Sequence, residues 1–387
     1  MPLITPQEAE AVILEATEVL GTEFVTLKNA LGRVLREDLF ADRPFPPFDR
    51  VTMDGVAFRF TDFSGAPLPL QGLHAAGDPT PAPLKNGHCW QVMTGSVMPP
   101  DCDTVVPYEE VTMSEETGVI QINPEPGKFI HREGSDAQKG DLILKSGIRI
   151  GPGHLGIAAS IGAVILAVTK QARITILTTG DELIPPDEIP LPHQLRQTNG
   201  ITLEAAIHQW GPALVTRHHL ADDLAATTRG IALALENSDL VILSGGISKG
   251  KKDYVRPALE ELRGEPLFHG VAQRPGKPLA FWPGIAALPG NPNSTLTTFH
   301  RYLVPLLHRM TGAPQTSSIQ LDLHSPIEAH PSLSMMFPAL INSDGTLKIL
   351  TPQNSGDFLS ALSGTGYVEI PAGVGLVTRA EFRSSIH

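Results

Sequence analysis

Three short glycine-containing stretches, Thr179-Gly180-Asp181-Glu182, Ser244-Gly245-Gly246-Ile247-Ser248 and Pro289-Gly290-Asn291-Pro292-Asn293, each follow an apolar, strand-like run. Glycine lets backbone N–H groups approach a ligand closely. Where such a turn opens a helix, the helix terminus adds positive potential that favours anions. Asp181, Glu182 and Asp253 put carboxylates in or beside the same stretches. Amides together with carboxylates suit a phosphate-bearing ligand bridged by Mg²⁺, a hard cation that takes oxygen ligands. Lys249, Lys251, Lys252, Arg274 and Lys277 add local positive charge, which a solvated surface would equally explain. Any one of these turns could be an ordinary strand-to-helix connection. Three on the carboxyl edge of a parallel sheet, where ligands bind, are harder to explain that way.

Two nucleotide motifs are weaker. Gly151-Pro152-Gly153-His154-Leu155-Gly156 spells GxGxxG, but the basic and polar run Lys170–Arg173 stands where an acidic residue would contact ribose. Gly245 to Lys251 spells GxxxxGK, but Lys252 replaces the hydroxyl residue that would reach Mg²⁺. Further small polar groups occur at Asp54-Gly55, at Thr94-Gly95 ahead of Pro99, Pro100 and Asp103, and at Arg132, Gly134 and Asp136. Each reads by itself as a turn. The histidines lack the paired spacing of a metal site, and no local Ser-His-Asp signature is present.

The elements that must position these groups follow from periodicity. Thr5-Pro6-Gln7-Glu8 is a capping box, and helical spacing of apolar residues continues to Leu20. Prolines then cluster between Phe40 and Gln138 among short strand-like segments. From Arg173 to Met310, strands alternate with helices, which argues for a doubly wound, mostly parallel sheet. The last stretch returns to strand and turn signals. The fold class expected is therefore α/β multidomain. An α/β domain (1–21 and 169–314) accompanies a β-rich insert (40–138), a small linking α/β region (22–39 and 139–168) and a C-terminal β-domain (315–387).

Composition narrows the function classes. Twenty-nine basic and 41 acidic residues give a net charge of −12, unfavourable for nucleic acid or anionic lipid. Only 5% of residues are aromatic, so stacking platforms for single strands are not expected. Cys89 and Cys102 cannot form a disulfide framework, which fits a reducing, cytoplasmic setting. The first 20 residues carry four glutamates and do not read as a signal peptide. The longest apolar stretch, near Leu155–Val168, is broken and too short to span a bilayer.

In order along the chain, the motifs resemble those of the MoeA/gephyrin E-domain family, the molybdopterin molybdenumtransferases. They are Met53-Asp54-Gly55-Val56-Ala57, Thr94-Gly95, Gly134-Ser135-Asp136, Thr179-Gly180-Asp181-Glu182-Leu183, Thr198-Asn199, Ser244 to Ser248, Asp253-Tyr254-Val255, Arg274-Pro275-Gly276-Lys277-Pro278 and Leu288-Pro289-Gly290-Asn291-Pro292. The resemblance implies an elongated homodimer of four-domain subunits. It implies a reaction in which adenylylated molybdopterin and molybdate give molybdenum cofactor and AMP, aided by Mg²⁺ or a similar ion. It also implies roles. Asp54, Thr94, Asp136, Glu182 and Asp253 would act in catalysis, with Asp54, Glu182 and Asp253 as candidate metal ligands. Asp222, Ser244, Gly245, Gly246, Ser248, Arg274, Lys277, Pro289, Gly290, Asn291 and Pro292 would bind substrate. Asp54, Thr94 and Asp136 would reach the site across the dimer interface. Val51 and Val56 stand where the family usually has Ser and Tyr, and Gln197 where Asp or Asn is common. A second reading is a molybdopterin-binding scaffold with little catalysis, whose C-terminal β-domain serves partners; other cofactor-assembly proteins are expected partners in either case. A third is adenylylation of molybdopterin itself.

Overall fold

Thr5 and Glu8 start the first helix by exchanging bonds. The Thr5 hydroxyl accepts the Glu8 N–H at 3.2 Å, and the Glu8 carboxylate accepts the Thr5 N–H at 2.7 Å. The helix spans Pro6–Glu15 and buries Ala9 and Ile13. It stops short of the expected end at Leu20. Thr17 turns its hydroxyl back onto the Ile13 carbonyl, and the Leu20 N–H bonds the Met310 carbonyl instead of a helical partner.

The structure is a computed structural model that describes residues 2–247, 253–314, 318–353, 357–359 and 363–385. The chain divides into two compact units. One comprises Met1–Glu37, Gly147–Gly151 and Ile165–His387, the other Asp38–Ser146 and Pro152–Val164. The stretch read from sequence as a linking region contributes to both. Thr22–Thr26 pairs with Ile165–Thr169 in the first unit, and Leu39–Phe40 pairs with Leu142–Leu144 in the second.

The first unit is built on a six-stranded sheet. Its spatial order is Ala213–Leu220, Ala172–Thr179, Leu240–Ser244, Ile285–Leu288, Ala280–Trp282 and Phe268–His269. The first four strands are parallel, Ala280–Trp282 runs antiparallel to them, and Phe268–His269 runs antiparallel to Ala280–Trp282. Alternate side chains feed two cores. Ile174, Ile176 and Ile242 pack with Ala9, Ile207, Phe299 and Leu307 on one face. Leu177, Val241 and Leu243 pack with Ile231, Ala258 and Leu259 on the other. Covered on both faces, Leu240–Ser244 is buried at every position, which is why it reads as an unbroken apolar run. The last helical stretch before Met310 is interrupted. Pro292–Thr298 passes through a π-turn, Phe299–Leu303, into Val304–Thr311. Pro305 has no N–H to donate, and the wider turn accommodates it.

The same unit ends in a closed ring of five strands. Ser334–Ile341, Leu347–Ile349, Ile319–Glu328, Leu376–Ser384 and Gly366–Ile370 pair in that order, and the last returns to the first. Closure removes the sheet edges. Gln273–Arg274 adds outside the ring, parallel to Ser334–Met335.

The second unit carries a six-stranded sheet ordered Thr104–Pro107, Gly55–Phe58, Cys89–Val92, Leu68–His74, Thr117–Ile120 and Val111–Met113. Val56 and Phe58 face one core and Ala57 the other. In this unit Gly153 and Gly156 lie inside the helix Pro152–Ser160, and a Cβ on either would meet nothing within 4 Å. The string follows an isolated bridge at Arg149 rather than a strand of a βαβ unit, which a dinucleotide fingerprint requires. Among the described residues, no helix is long and apolar enough to cross a membrane.

Candidate functional site

From Ala172–Thr179 the chain moves first to the strand on one side, Ala213–Leu220, and then crosses to Leu240–Ser244 on the other. Loops that leave neighbouring strands in opposite directions open a crevice at their carboxyl ends. Here it is a cleft of about 720 Å³. Glu182, Asp222, Ser244, Gly245, Gly246, Asp253, Arg274, Lys277, Pro289, Gly290, Asn291 and Pro292 all line it. Thus the three glycine turns, remote in sequence, share one site. Ser248, with Lys249, Lys251 and Lys252, lies outside the described residues.

The turns touch one another. Gly245 and Gly246 have φ of +97° and +65°, backbone that L side chains rarely adopt. A Cβ on Gly290 would lie 3.5 Å from the Gly245 Cα, and one on Gly245 would lie 3.1 Å from the Thr179 carbonyl oxygen. Side chains lock this contact. Ser244 Oγ donates to the Pro289 carbonyl at 3.2 Å, and Thr295 Oγ1 donates to the same carbonyl at 2.6 Å. Asn199 Nδ2 donates to Ser244 Oγ at 2.9 Å and to the Gly290 carbonyl at 2.7 Å. Asn199 was legible only as part of the Thr198-Asn199 string; the long-range ties that make it the joint between two turns have no local signal. Asp181 is spent on structure: its carboxylate accepts the Asp222 N–H at 3.1 Å, and the Asp222 carboxylate accepts the Asp181 N–H at 3.2 Å. Gln273, fully buried and missed by sequence reading, donates to the Pro275 carbonyl at 3.1 Å and accepts the Tyr302 hydroxyl, so it braces the Arg274–Lys277 turn.

Carboxylates Glu182, Asp222 and Asp253 and cations Arg196, Arg274 and Lys277 surround the cleft. Among the described residues, no cluster of three or more His, Cys, Asp or Glu side chains forms a ready-made metal cage. Mg²⁺ usually keeps waters and binds one or two carboxylates plus substrate phosphates. The donor set therefore fits that ion when a phosphate ligand completes the shell.

Asp54, Thr94 and Asp136 belong to the second unit. Asp54 Oδ1 accepts the Thr94 N–H at 2.6 Å and the Thr94 hydroxyl at 2.7 Å. Both bonds favour the anion and hold its pKa below the usual carboxylate value, the backbone bond contributing most. Asp54 thus stays ionised as pH falls toward the ordinary carboxylate range. Replacing Thr94 by Val removes the hydroxyl bond, so the Asp54 pKa is expected to rise. A carboxyl NMR titration of wild type and variant checks this, and an unchanged midpoint would contradict it.

Asp136 Oδ1 meets His131 Nε2 at 2.8 Å, and His131 Nδ1 meets Arg50 at 3.2 Å. Arg50 can only donate, so Nδ1 accepts and Nε2 carries the hydrogen toward Asp136. The His131 bond is the largest factor lowering the Asp136 pKa. Sequence reading named Arg132 beside Asp136. In the structure Arg132 instead pairs with Asp49 at 2.5 Å, and His131 is the residue on Asp136. The signal is the ladder Ile130–His131 with Arg50–Val51, a long-range pairing that no local pattern announces.

Residues 4–162 match the model of the MoeA N-terminal region, domains I and II, and residues 175–309 match that of a probable molybdopterin-binding domain. The chain is 36% identical, over 91% of both sequences, to a molybdopterin molybdenumtransferase of Synechocystis. It is 32% identical to one of Haemophilus influenzae, over 81% of this chain and 79% of that protein. Its fold resembles the solved molybdopterin biosynthesis MoeA protein of Pyrococcus horikoshii, with a TM-score of 0.79, 27% identity and complete coverage of both chains. With sequence relatives and fold in agreement over nearly its whole length, this chain belongs to the molybdopterin molybdenumtransferase family, enzymes of molybdenum cofactor biosynthesis.

Proposed function

We propose that this chain inserts molybdate into adenylylated molybdopterin and releases AMP. The observation that carries this reading is the convergence of three glycine turns with Glu182 and Asp253 on one cleft. The substrate is polyanionic and molybdate is an anion. Bringing them together and cleaving a phosphoanhydride demands positioning and charge neutralisation more than a covalent nucleophile. Backbone amides of Gly246 and Gly290 bind phosphate oxygens, the Gly245 N–H being held by the Leu288 carbonyl, while Arg274 and Lys277 draw the anions in from the rim. Asn199 and Ser244 keep the two turns in register.

Glu182 and Asp253, with Asp54, would hold Mg²⁺; when bound, the ion neutralises charge on the phosphate oxygens. In this proposal the enzyme is a cytoplasmic homodimer, and the second subunit supplies Asp54, Thr94 and Asp136 to the cleft. Two free thiols, Cys89 and Cys102, support the cytoplasmic setting. Other cofactor-assembly proteins are the partners expected to deliver substrate.

Purified protein given adenylylated molybdopterin, molybdate and Mg²⁺ is expected to release AMP. Glu182→Ala and Asp54→Ala should fold normally and lose release by a factor of about 100 or more. Full activity in both would defeat the assigned roles. Tight binding without release would favour the scaffold, and ATP consumption with free molybdopterin would favour adenylylation.

A further inference from the structure

Leu183 and Leu195 form an apolar face on the strand-to-loop side of the cleft, apart from Ile247 and from Pro275, Pro278, Pro289 and Pro292 that line it elsewhere. Residues 183–196 leave the first glycine turn, project outward and return, closed at the base by a two-rung parallel ladder of Leu183–Ile184 with Leu195–Arg196. Leu183 stands directly opposite Leu195 in this ladder, so their side chains share a face. Both line the cleft. Ile184, on the opposite face, is 7% exposed and does the inward packing, whereas Leu195 is 63% exposed.

The projection is firmly closed. The Leu195 N–H donates to the Glu182 carbonyl at 2.8 Å, the Gln197 N–H to the Ile184 carbonyl at 2.9 Å, and Arg196 Nε to the Glu188 carbonyl at 3.1 Å. Backbone bonds from both ends of the plate, one of them to Glu182 itself, therefore hold it beside the carboxylate and glycine turns.

We infer that the Leu183–Leu195 face seats a planar heterocycle of the substrate and is a specificity-determining surface of this enzyme. The inference rests on the proposed function, which supplies a substrate with a pterin ring at one end and adenine at the other. A flat ring against paired leucines removes apolar surface from water on both partners. The amides and charges of the facing turns are left for the phosphates. The ring contributes affinity and orientation, and the plate takes no part in bond making.

The test uses the intact protein and two ring probes, 6-hydroxymethylpterin and AMP, each titrated into wild type, Leu195→Asp and Leu195→Met. Leu195→Asp is expected to weaken binding of one probe by about tenfold or more, and that probe identifies the ring. Leu195→Met keeps the apolar contact and should bind within about twofold of wild type. With adenylylated molybdopterin, the Asp variant should raise KM while kcat at saturation stays within about threefold. Thermal midpoints should match, because Leu195 is largely exposed. Unchanged affinity of Leu195→Asp for both probes would overturn the inference, as would equal losses in the Met variant. The two claims fail separately. AMP release by wild type with Leu195-independent ring binding sinks only this inference. Leu195-dependent ring binding without AMP release sinks only the proposed reaction.

Discussion

Arg301→Met is expected to destabilise the first unit by about 3–5 kcal/mol, read as a fall in the urea midpoint. Arg301 is 5% exposed and donates to Glu369 at 2.7 Å and to Glu10 at 2.6 Å. One guanidinium therefore ties the helix Pro6–Glu15, the π-turn Phe299–Leu303 and the barrel strand Gly366–Ile370. Burial disfavours its charge, but the two carboxylates outweigh burial and raise its pKa, so it is charged at any working pH. Removing the cation leaves Glu369, itself largely buried, without its counter-charge. The loss measures that orphaned carboxylate more than the worth of the original pair. A triple variant, Glu10→Leu with Arg301→Met and Glu369→Leu, should accordingly recover much of the stability. Arg379→Ala provides the contrast. Its pairing with Asp322 spans 3.8 Å with both side chains exposed, so the change should cost less than about 1 kcal/mol. Equal losses in Arg301→Met and Arg379→Ala would refute the assignment.

Gly246→Ala should remove activity out of proportion to stability. At φ +65° an alanine costs about 1–2 kcal/mol. Its Cβ would lie 2.7 Å from Val255 Cγ2 and 2.9 Å from Thr179 Oγ1, so the turn must shift away from its neighbours. A displacement near 1 Å of groups that position substrate lowers rate by a factor of about 100. Gly284→Ala separates the two effects. It has the same left-handed backbone, φ +76°, but a Cβ there would meet only the Asp239 carbonyl at 3.7 Å, and Gly284 does not line the cleft. Gly284→Ala carries the backbone strain without the clash, so it should lower the melting temperature no more than Gly246→Ala does and leave AMP release intact. Equal activity in the two variants would mean that the Ser244–Ile247 turn does not hold substrate.

How much of this was legible in the sequence depended on the range of the interaction. The alternation from Arg173 to Met310 was readable because strands covered on both faces become continuous apolar runs, as at Leu240–Ser244, and because helices carry their own periodicity. The polar turns could be located from glycine and from the parallel topology that gathers strand ends. Pairings between distant segments were not readable. The barrel closes through Ser334–Ile341 against Gly366–Ile370, and Gln273–Arg274 joins it from the α/β region, yet neither contact alters local composition. Asn199, Gln273 and His131 were missed as supports for the same reason: each acts on a partner that sequence spacing does not bring near. The Leu183–Leu195 ladder is too short for a period to show. The end of the first helix was misjudged because a side chain intervened, at Thr17.

The central claim, that the glycine turns form a single anion-binding cleft, is tested most directly by backbone amide NMR during titration with adenylylated molybdopterin. Amides of Gly180, Gly245, Gly246 and Gly290 should move together with one saturation curve, while those of Gly264 and Gly284 stay still. Resonances that move elsewhere and leave these four unchanged would contradict the account.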